Sequence, residues 1–503
     1  MSILRTCNSK EAQFARDGHY LSVRFILSLL CAFFILSGSS LSAIELLKTF
    51  NLSGPLATSA NFETTFNDAL NGKMMVGAPF DGTTAIEAGR VDVIDIITGD
   101  TSLTMFGDVQ SALFGSSVDF IRDFDGDGVV DYLIGSQGLT PSQTEPFGRA
   151  YVFSGATGDT ALKTGSLGGY HNVGAGLGGA GDLNNDGLSD VVIGFPMETT
   201  CFPSLAGMLI YAGDTAYVDA FSFWGWDQDS DTASCYEKRI RYAGDLNNDG
   251  FDDVLYSYNS WGSMRILYGG DSATFSGSVF WCGEFGFDGV GDVNKDGFND
   301  FIVGNRFFDQ SRGQVAVVSG FDFDTLYYFE GEKVTDIYGE TVAGCGDFDG
   351  DTYPDFVVGA SYYASDTTFT FRPGKIYIYS GRDGHLLDTA LGAIDGAGFG
   401  RGLEAAGDIN MDGKSDIFVG ERGRITVLGA SNCCAVAGDF NDDGSFNIAD
   451  VTAGVGWIFG GGESFICPEE ADSNGDGSFN ISDITYAIAR IFSGGPAPVC
   501  PTI

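Results

Sequence analysis

The stretch DFDGDGVVDYLIG, Asp123 to Gly135, decides how this chain is read. Its first nine residues place side-chain oxygens at positions 1, 3, 5 and 9 and glycine at position 6, a spacing that curls a backbone around a hard cation. Its last residues are the apolar run of a strand. The pattern returns as DLNNDGLSDVVIG from Asp182, DLNNDGFDDVLYS from Asp245, DVNKDGFNDFIVG from Asp292, DFDGDTYPDFVVG from Asp347 and DINMDGKSDIFVG from Asp408, with starts 47 to 63 residues apart. A degenerate copy ends in MMVGAP at Met74 to Pro79, with Thr65, Asn67 and Lys73 in place of the acids.

A second pattern interleaves with the first. A glycine opens a short β-rich run that ends in glycine, as in GRAYVFSG, GQVAVVSG and GKIYIYSG; the leading glycines are Gly89, Gly148, Gly207, Gly262, Gly313, Gly374 and Gly423. Both patterns count seven. Each unit therefore holds a strand, an acidic hairpin, a strand, a longer loop and a third strand, usually followed by a fourth such as TALKTG after Gly158. Four antiparallel strands per unit, repeated radially, leave only short protected edges, so an all-β seven-bladed propeller is expected. A linear array of β modules would leave every edge open. The last unit runs from GRITVLG into Cys433 and Cys434 with no fourth strand, and IELLKTFNLSG at Ile44 to Gly54 looks like the missing one.

The repeat resembles the FG-GAP repeats of integrin alpha-chain propellers over most of residues 44–430. Phe114-Gly115 and Phe399-Gly400 precede their acidic loops, Gly77-Ala78-Pro79 stands complete and Tyr338-Gly339 is a near match. The FG pair is missing from the first, fourth and fifth units, and Tyr256 stands where the fourth unit is expected to have its strand-end glycine.

The chemistry of the loops points to calcium, which takes 6 to 8 oxygen ligands. The expected ligands are Asp123, Asp125, Asp127 and Asp131; Asp182, Asn184, Asp186 and Asp190; Asp245, Asn247, Asp249 and Asp253; Asp292, Asn294, Asp296 and Asp300; Asp347, Asp349, Asp351 and Asp355; and Asp408, Asn410, Asp412 and Asp416. The bland alternative is a set of Asp-Gly hairpin turns without metal. At Thr352 the usual glycine is absent, which predicts a strained or weaker loop.

The last 70 or so residues carry a different loop twice. DFNDDGSFNIAD offers Asp439, Asn441, Asp443, Asn447 and Asp450, and DSNGDGSFNISD offers Asp472, Asn474, Asp476, Asn480 and Asp483, at positions 1, 3, 5, 9 and 12. An apolar helix pattern follows each, and the cysteines Cys434 and Cys467 leave little room for an entering helix of the EF-hand kind. The pair resembles the dockerin module, an α-helical domain with paired F-hand loops. The resemblance implies about eight calcium sites in all and a cohesin-like scaffold as a partner, through Ile448-Ala449 and Ile481-Ser482. The alternative is a calcium-stapled terminal cap.

The 503 residues are 44% apolar and include 74 glycines, enough for a large core with many turns. Sixty-eight Asp and Glu oppose 26 Lys and Arg, a net charge of -42 that repels nucleic acid and anionic membranes and favours cations. Phe25 to Leu36 is too short to span a bilayer and follows Arg5, Lys10, Arg16 and Arg24, so residues 1–43 are expected to be a signal peptide, with a retained anchor as the alternative. The expected organisation is then 1–43 leader, 44–430 propeller and 431–503 dockerin-like domain, in a secreted or cell-surface protein with no transmembrane segment after cleavage. Eight cysteines remain, consistent with disulfides. Cys433 or Cys434 with Cys500, and Cys201 with Cys235, are candidate pairs; Cys282 and Cys345 either pair or stay buried thiols.

In an up-and-down blade the acidic hairpins share one face and the longer loops the other. Those longer loops hold Phe195, Tyr258, Trp261, Phe307, Phe308, Tyr362 and Tyr363, a rim to stack on sugars or anchor a protein, or else packing between blades. Only His171 and His385 follow the leader, and no nucleophile elbow, zinc helix or phosphate loop is present. The reading is a non-catalytic calcium-binding adhesion or recognition protein. The alternative is a non-catalytic subunit of a cohesin–dockerin polysaccharide-degrading assembly.

Overall fold

A computed structural model describes residues 44–51, 72–107, 109–138, 148–164, 173–174, 176–196, 206–213, 240–257, 264–270, 274–279, 286–365, 371–410 and 412–430, with 438, 440, 446–460, 473–474, 480–496 and 498 in the C-terminal part. Residues 44–430 form one compact unit, and the residues from 431 onward belong to a second.

Among the described residues of the first unit, every blade is an antiparallel sheet, and the strands of the first six stand in chain order. The first holds β2 (Lys73–Ala78), β3 (Arg90–Asp95) and β4 (Thr101–Phe106), and the second β5 (Phe114–Ile121), β6 (Asp131–Ser136), β7 (Arg149–Phe153) and β8 (Thr160–Lys163). The third holds β9 (Gly176–Gly181), β10 (Asp190–Pro196) and β11 (Ala206–Tyr211), and the fourth β12 (Ile240–Gly244), β13 (Asp253–Ser257), β14 (Met264–Tyr268) and β15 (Thr274–Val279). The fifth holds β16 (Phe287–Gly291), β17 (Asp300–Asn305), β18 (Gln314–Val318) and β19 (Thr325–Glu330), and the sixth β20 (Val342–Gly346), β21 (Asp355–Ala360), β22 (Lys375–Tyr379) and β23 (Leu386–Leu391). The seventh combines β24 (Gly402–Gly407), β25 (Asp416–Glu421) and β26 (Arg424–Ala430) with β1 (Ile44–Asn51) from the chain's start. The inner strands pack in sequence, β5 on β9, β9 on β12, and so on to β24, as a propeller requires, and β2, the second strand of the first blade, packs on β5.

Closure follows the expectation. β1 pairs antiparallel with β26 from Ile44↔Ala430 to Asn51↔Arg424. Phe50 enters the core shared with Ile94 and Ile425, while the Lys48 ammonium donates to the Ile96 and Ile97 carbonyls at 2.6 and 2.5 Å. The seventh blade is thus tied to the first.

The FG and GAP glycines meet across blades. A Cβ on Gly77 would lie 2.2 Å from the Gly115 carbonyl oxygen of the next blade, and Gly135, Gly304 and Gly359 stand equally close to Gly174, Gly339 and Gly400. The leading glycines Gly89, Gly148, Gly313 and Gly374 make single parallel bridges to Phe114, Val173, Tyr338 and Phe399. Val173-Gly174 therefore occupies the FG place in the third blade. In the fourth blade Ser257, not Tyr256, takes the glycine's register, opposite Met264, while Tyr256 is a buried strand residue. Gly77→Ala forces two backbones apart and is expected to cost at least ~2 kcal/mol. Denaturant unfolding measures it, and a loss under ~0.5 kcal/mol rules the interlock out.

In the second unit, α1 (Ile448–Gly460) and α2 (Ile481–Ser493) pack together around Phe440, Val451, Ile484 and Ala487. Asn480 caps α2 in a reciprocal capping box with Asp483.

Candidate cation-binding loops

Each acidic loop joins the first two strands of its blade, so all six project from one face of the propeller. Position 4 takes a left-handed backbone whatever its residue: Gly126, Asn185, Asn248, Lys295 and Gly350 all have φ between 56 and 88°. Glycine and asparagine accept that region cheaply. This kink turns positions 1, 3 and 5 toward one another. In two loops, Asp123, Asp125 and Asp127, and Asp347, Asp349 and Asp351, each offer a carboxylate oxygen within 4.8 Å of the others. Calcium binds oxygen at 2.3–2.6 Å, so a single ion can reach all three.

The other loops carry Asn at position 3 and hold the same turn. Asp186 receives a side-chain bond from Asn184 at 2.9 Å, and the Asp182 carboxylate accepts the Asp186 and Gly187 amides at 3.0 and 2.8 Å. Asp245, Asp292 and Asp408 repeat these contacts with Asp249–Gly250, Asp296–Gly297 and Asp412–Gly413. Thr352 adopts φ 75°, a conformation disfavoured for a β-branched residue, and its amide still reaches Asp347 at 2.8 Å. The strain expected there is present.

Position 9 stands apart. Asp131 is fully buried; one of its oxygens accepts the Phe124 amide at 2.8 Å and the other the Gly155 amide at 2.8 Å. Asp190, Asp253, Asp300 and Asp355 do the same with the position-2 amide and with Gly213, Gly269, Gly320 and Gly381 after the third strand. Asp416 keeps only the first class of contact, to Ile409, because β26 runs on to pair with β1, and its second oxygen is buried without a partner. These aspartates clasp the loop to the third strand, which sequence spacing did not reveal. Their ligand role is a proposal.

Burial raises these carboxyls, Asp131 to about 6 and Asp190, Asp253, Asp300, Asp355 and Asp416 to about 7. Between those values and the unfolded ~3.9 the native state holds protons that the unfolded chain has released. Stability in chelator should therefore rise as the pH falls from 8 to 5, by on the order of 5 °C in Tm. A midpoint that is flat or falls over that range contradicts the buried clasp.

On the opposite face the rim is only partly as expected. Phe307 and Tyr362 are about half exposed, at 52% and 48%, whereas Phe308 is half-buried and Tyr363 is buried beneath the Lys333 and Lys375 ammonium groups, 4.3 and 5.0 Å from its ring centre. Tyr363 follows the packing alternative. Tyr258, Trp261 and the Phe195 side chain lie outside the described residues. Phe80, Ile86, Phe371 and Ile394, missed from sequence, are exposed in the same set of loops.

In the C-terminal unit, Asn447, Asp450, Asn480 and Asp483 serve the helix starts: Asp450 and Asp483 accept the amides of Asn447 and Asn480 at 2.6 and 2.8 Å. Asn474 donates its amide to Asp483 at 3.2 Å. Asp439, Asn441, Asp443, Asp472 and Asp476 lie outside the described residues, as do Thr65, Asn67, His171 and every candidate disulfide cysteine except Cys345, a buried free thiol. Among the described residues no helix is long and apolar enough to cross a membrane.

The FG-GAP repeat family matches residues 174–210, 288–318 and 338–379. Integrin alpha-5 of Xenopus laevis is 31% identical over 144 residues, 27% of this chain and 13% of that protein. Integrin alpha-V of Gallus gallus is 29% identical over 185 residues, 35% of this chain and 18% of the relative. Integrin alpha-8 of Homo sapiens is 25% identical over 245 residues, 42% of this chain and 21% of the relative. The chain thus spans only a small part of the length of these relatives. It carries FG-GAP repeats similar to those of integrin alpha chains, folded as a seven-bladed propeller.

Proposed function

We propose, on the premise of an FG-GAP propeller of the integrin alpha kind, that this chain is a secreted, non-catalytic, calcium-binding adhesion or recognition protein. Calcium is held by positions 1, 3 and 5 of the six loops, with position 9 completing each site. It neutralises carboxylates that otherwise repel one another, so its binding is coupled to folding. The ligand, a protein or glycan, binds the opposite face.

The observation that carries this reading is the separation of chemistry between faces. Carboxylates crowd the six loops before the second strands of the second to seventh blades, while Phe80, Ile86, Phe307, Tyr362, Phe371 and Ile394 stand exposed in the loops after second strands and in a crossover. Exposed aromatic and apolar groups gathered on one rim anchor partners. The dockerin-like tail is proposed as a tether or cap. Ile448 and Ile481, 52% and 53% exposed at the start of α1 and α2, give it the same apolar contact twice.

The test is retention of the full chain on immobilised polysaccharides and on cell-surface protein, in calcium and in chelator. Calcium-dependent retention that weakens at least ~10-fold in Phe307→Ala/Tyr362→Ala, but not in Ile448→Asp, supports the propeller face as the binding head. Equal retention by both variants and wild type sinks it.

A further inference from the structure

The six acidic loops are not independent hairpins. Position 8 of one loop donates its backbone amide to the position-1 carbonyl of the loop in the preceding blade. Ser189 donates to Asp123 at 2.8 Å, Asp252 to Asp182 at 3.1 Å, Asn299 to Asp245 at 3.2 Å and Ser415 to Asp347 at 2.8 Å. Between the third and fourth blades a second bond reinforces the link, the Asp182 amide to the Asp252 carboxylate at 2.8 Å. The chain of bonds breaks once. In the loop from Asp347, position 8 is Pro354, which has no amide hydrogen to give to Asp292. There the neighbours meet instead through one exposed side chain, Lys295, whose ammonium donates to the Thr352 carbonyl at 2.8 Å and lies 4.7 Å from the centre of the Tyr353 ring.

The bonded residues are those that shape the loops. Position 1 folds its loop by accepting two of that loop's amides on its carboxylate, as Asp182 does from Asp186 and Gly187. Position 8 immediately precedes the aspartate that clasps the next loop, as Ser189 precedes Asp190. The position-1 peptide of one loop is therefore fixed to the clasp of the next. Ordering one loop lowers the entropy cost of ordering its neighbour, and a site that pays less to order binds more tightly.

We propose that the six loops take up calcium in two cooperative blocks, four loops from Asp123, Asp182, Asp245 and Asp292 and two from Asp347 and Asp408, with Pro354 as the divide. The inference rests on the cation reading of the loops and adds to it a partition that follows from the amide chain alone. Cooperation runs within a block because each member is bonded to the next. It stops at Pro354 because the link there is one exposed lysine side chain, which can follow either loop's motion, and not a backbone hydrogen bond.

The experiment follows the hydrogen exchange of each loop's peptide in the full chain as calcium is titrated, so every loop reports its own midpoint. Asp349→Ala, which disables the loop from Asp347, should raise the midpoint of the loop from Asp408 about 5-fold or more and leave the loop from Asp292 unchanged. Asp249→Ala should shift the loops from Asp182 and Asp292 on either side of it. Pro354→Ser restores the missing amide, so that Asp349→Ala then also shifts the loop from Asp292. Ser415→Pro should uncouple the last two loops, and the backbone accommodates proline here because Pro354 already occupies the equivalent place.

Midpoints that stay put in neighbouring loops, with calcium still protecting each loop separately, overturn the coupling and leave the cation reading intact. Spread of the Asp349→Ala effect across Pro354 in the otherwise native chain overturns the partition. Absence of calcium-dependent protection in every loop removes the cation reading and the coupling with it.

Discussion

Asp300→Ala is expected to cost the propeller roughly 2–5 kcal/mol in chelator. The Asp300 carboxylate is fully buried and accepts two amides from different parts of its blade, Val293 in the loop and Gly320 after the third strand, each at 3.0 Å. Removing it strands two buried donors, each worth about 1–3 kcal/mol when unsatisfied. Working without calcium separates this loss from any loss of a bound ion. Asp300→Asn keeps one acceptor and should recover part of the deficit, whereas the exposed Asp322→Ala should change little. Urea unfolding decides it: a loss below ~1 kcal/mol would mean that the clasp is dispensable and that Asp300 matters only as a ligand.

Removing residues 44–51 is expected to lower the melting midpoint by more than ~10 °C and to make the protein self-associate. β1 covers the outer edge of β26, places Phe50 in the core and ties the first blade through Lys48, while the Ile44 amide reaches Asp388 of the sixth blade at 3.1 Å. Three blades lose a partner at once, and the bared edge of β26 is a template for another chain. Calorimetry and size-exclusion chromatography report both effects. A truncated chain that melts cooperatively at the original midpoint and stays monomeric would show that the ring closes without its N-terminal strand.

Much of the architecture was legible because propeller blades repeat, and repetition turns weak local signals into a count. Two motifs that agreed on seven gave the ring, and the missing fourth strand after GRITVLG gave its closure. The clasp was not legible. Spacing treats the oxygens at positions 1, 3, 5 and 9 alike, yet Asp131 is set apart by Gly155, 24 positions downstream, which only the folded blade brings near. Exposure was equally hidden: Tyr362 and Tyr363 are adjacent in a loop, and only the positions of Lys333 and Lys375 decide which is covered. In the tail, oxygens at positions 9 and 12 fit a metal loop and a helix cap alike, and the structure shows Asn480 and Asp483 at work as the cap.

The seam between the first and seventh blades also has a consequence in time. During synthesis β1 emerges early, but its partner β26 is among the last strands of the propeller to be made, and even its contact with Asp388 spans 344 positions. Until then an unpaired strand with Leu46 and Phe50 exposed must avoid every other strand edge in the cell. Contacts so distant in sequence form slowly. Ring closure is therefore expected to be the late, slow event of folding, and the stage at which a chaperone holding residues 44–51 would matter most.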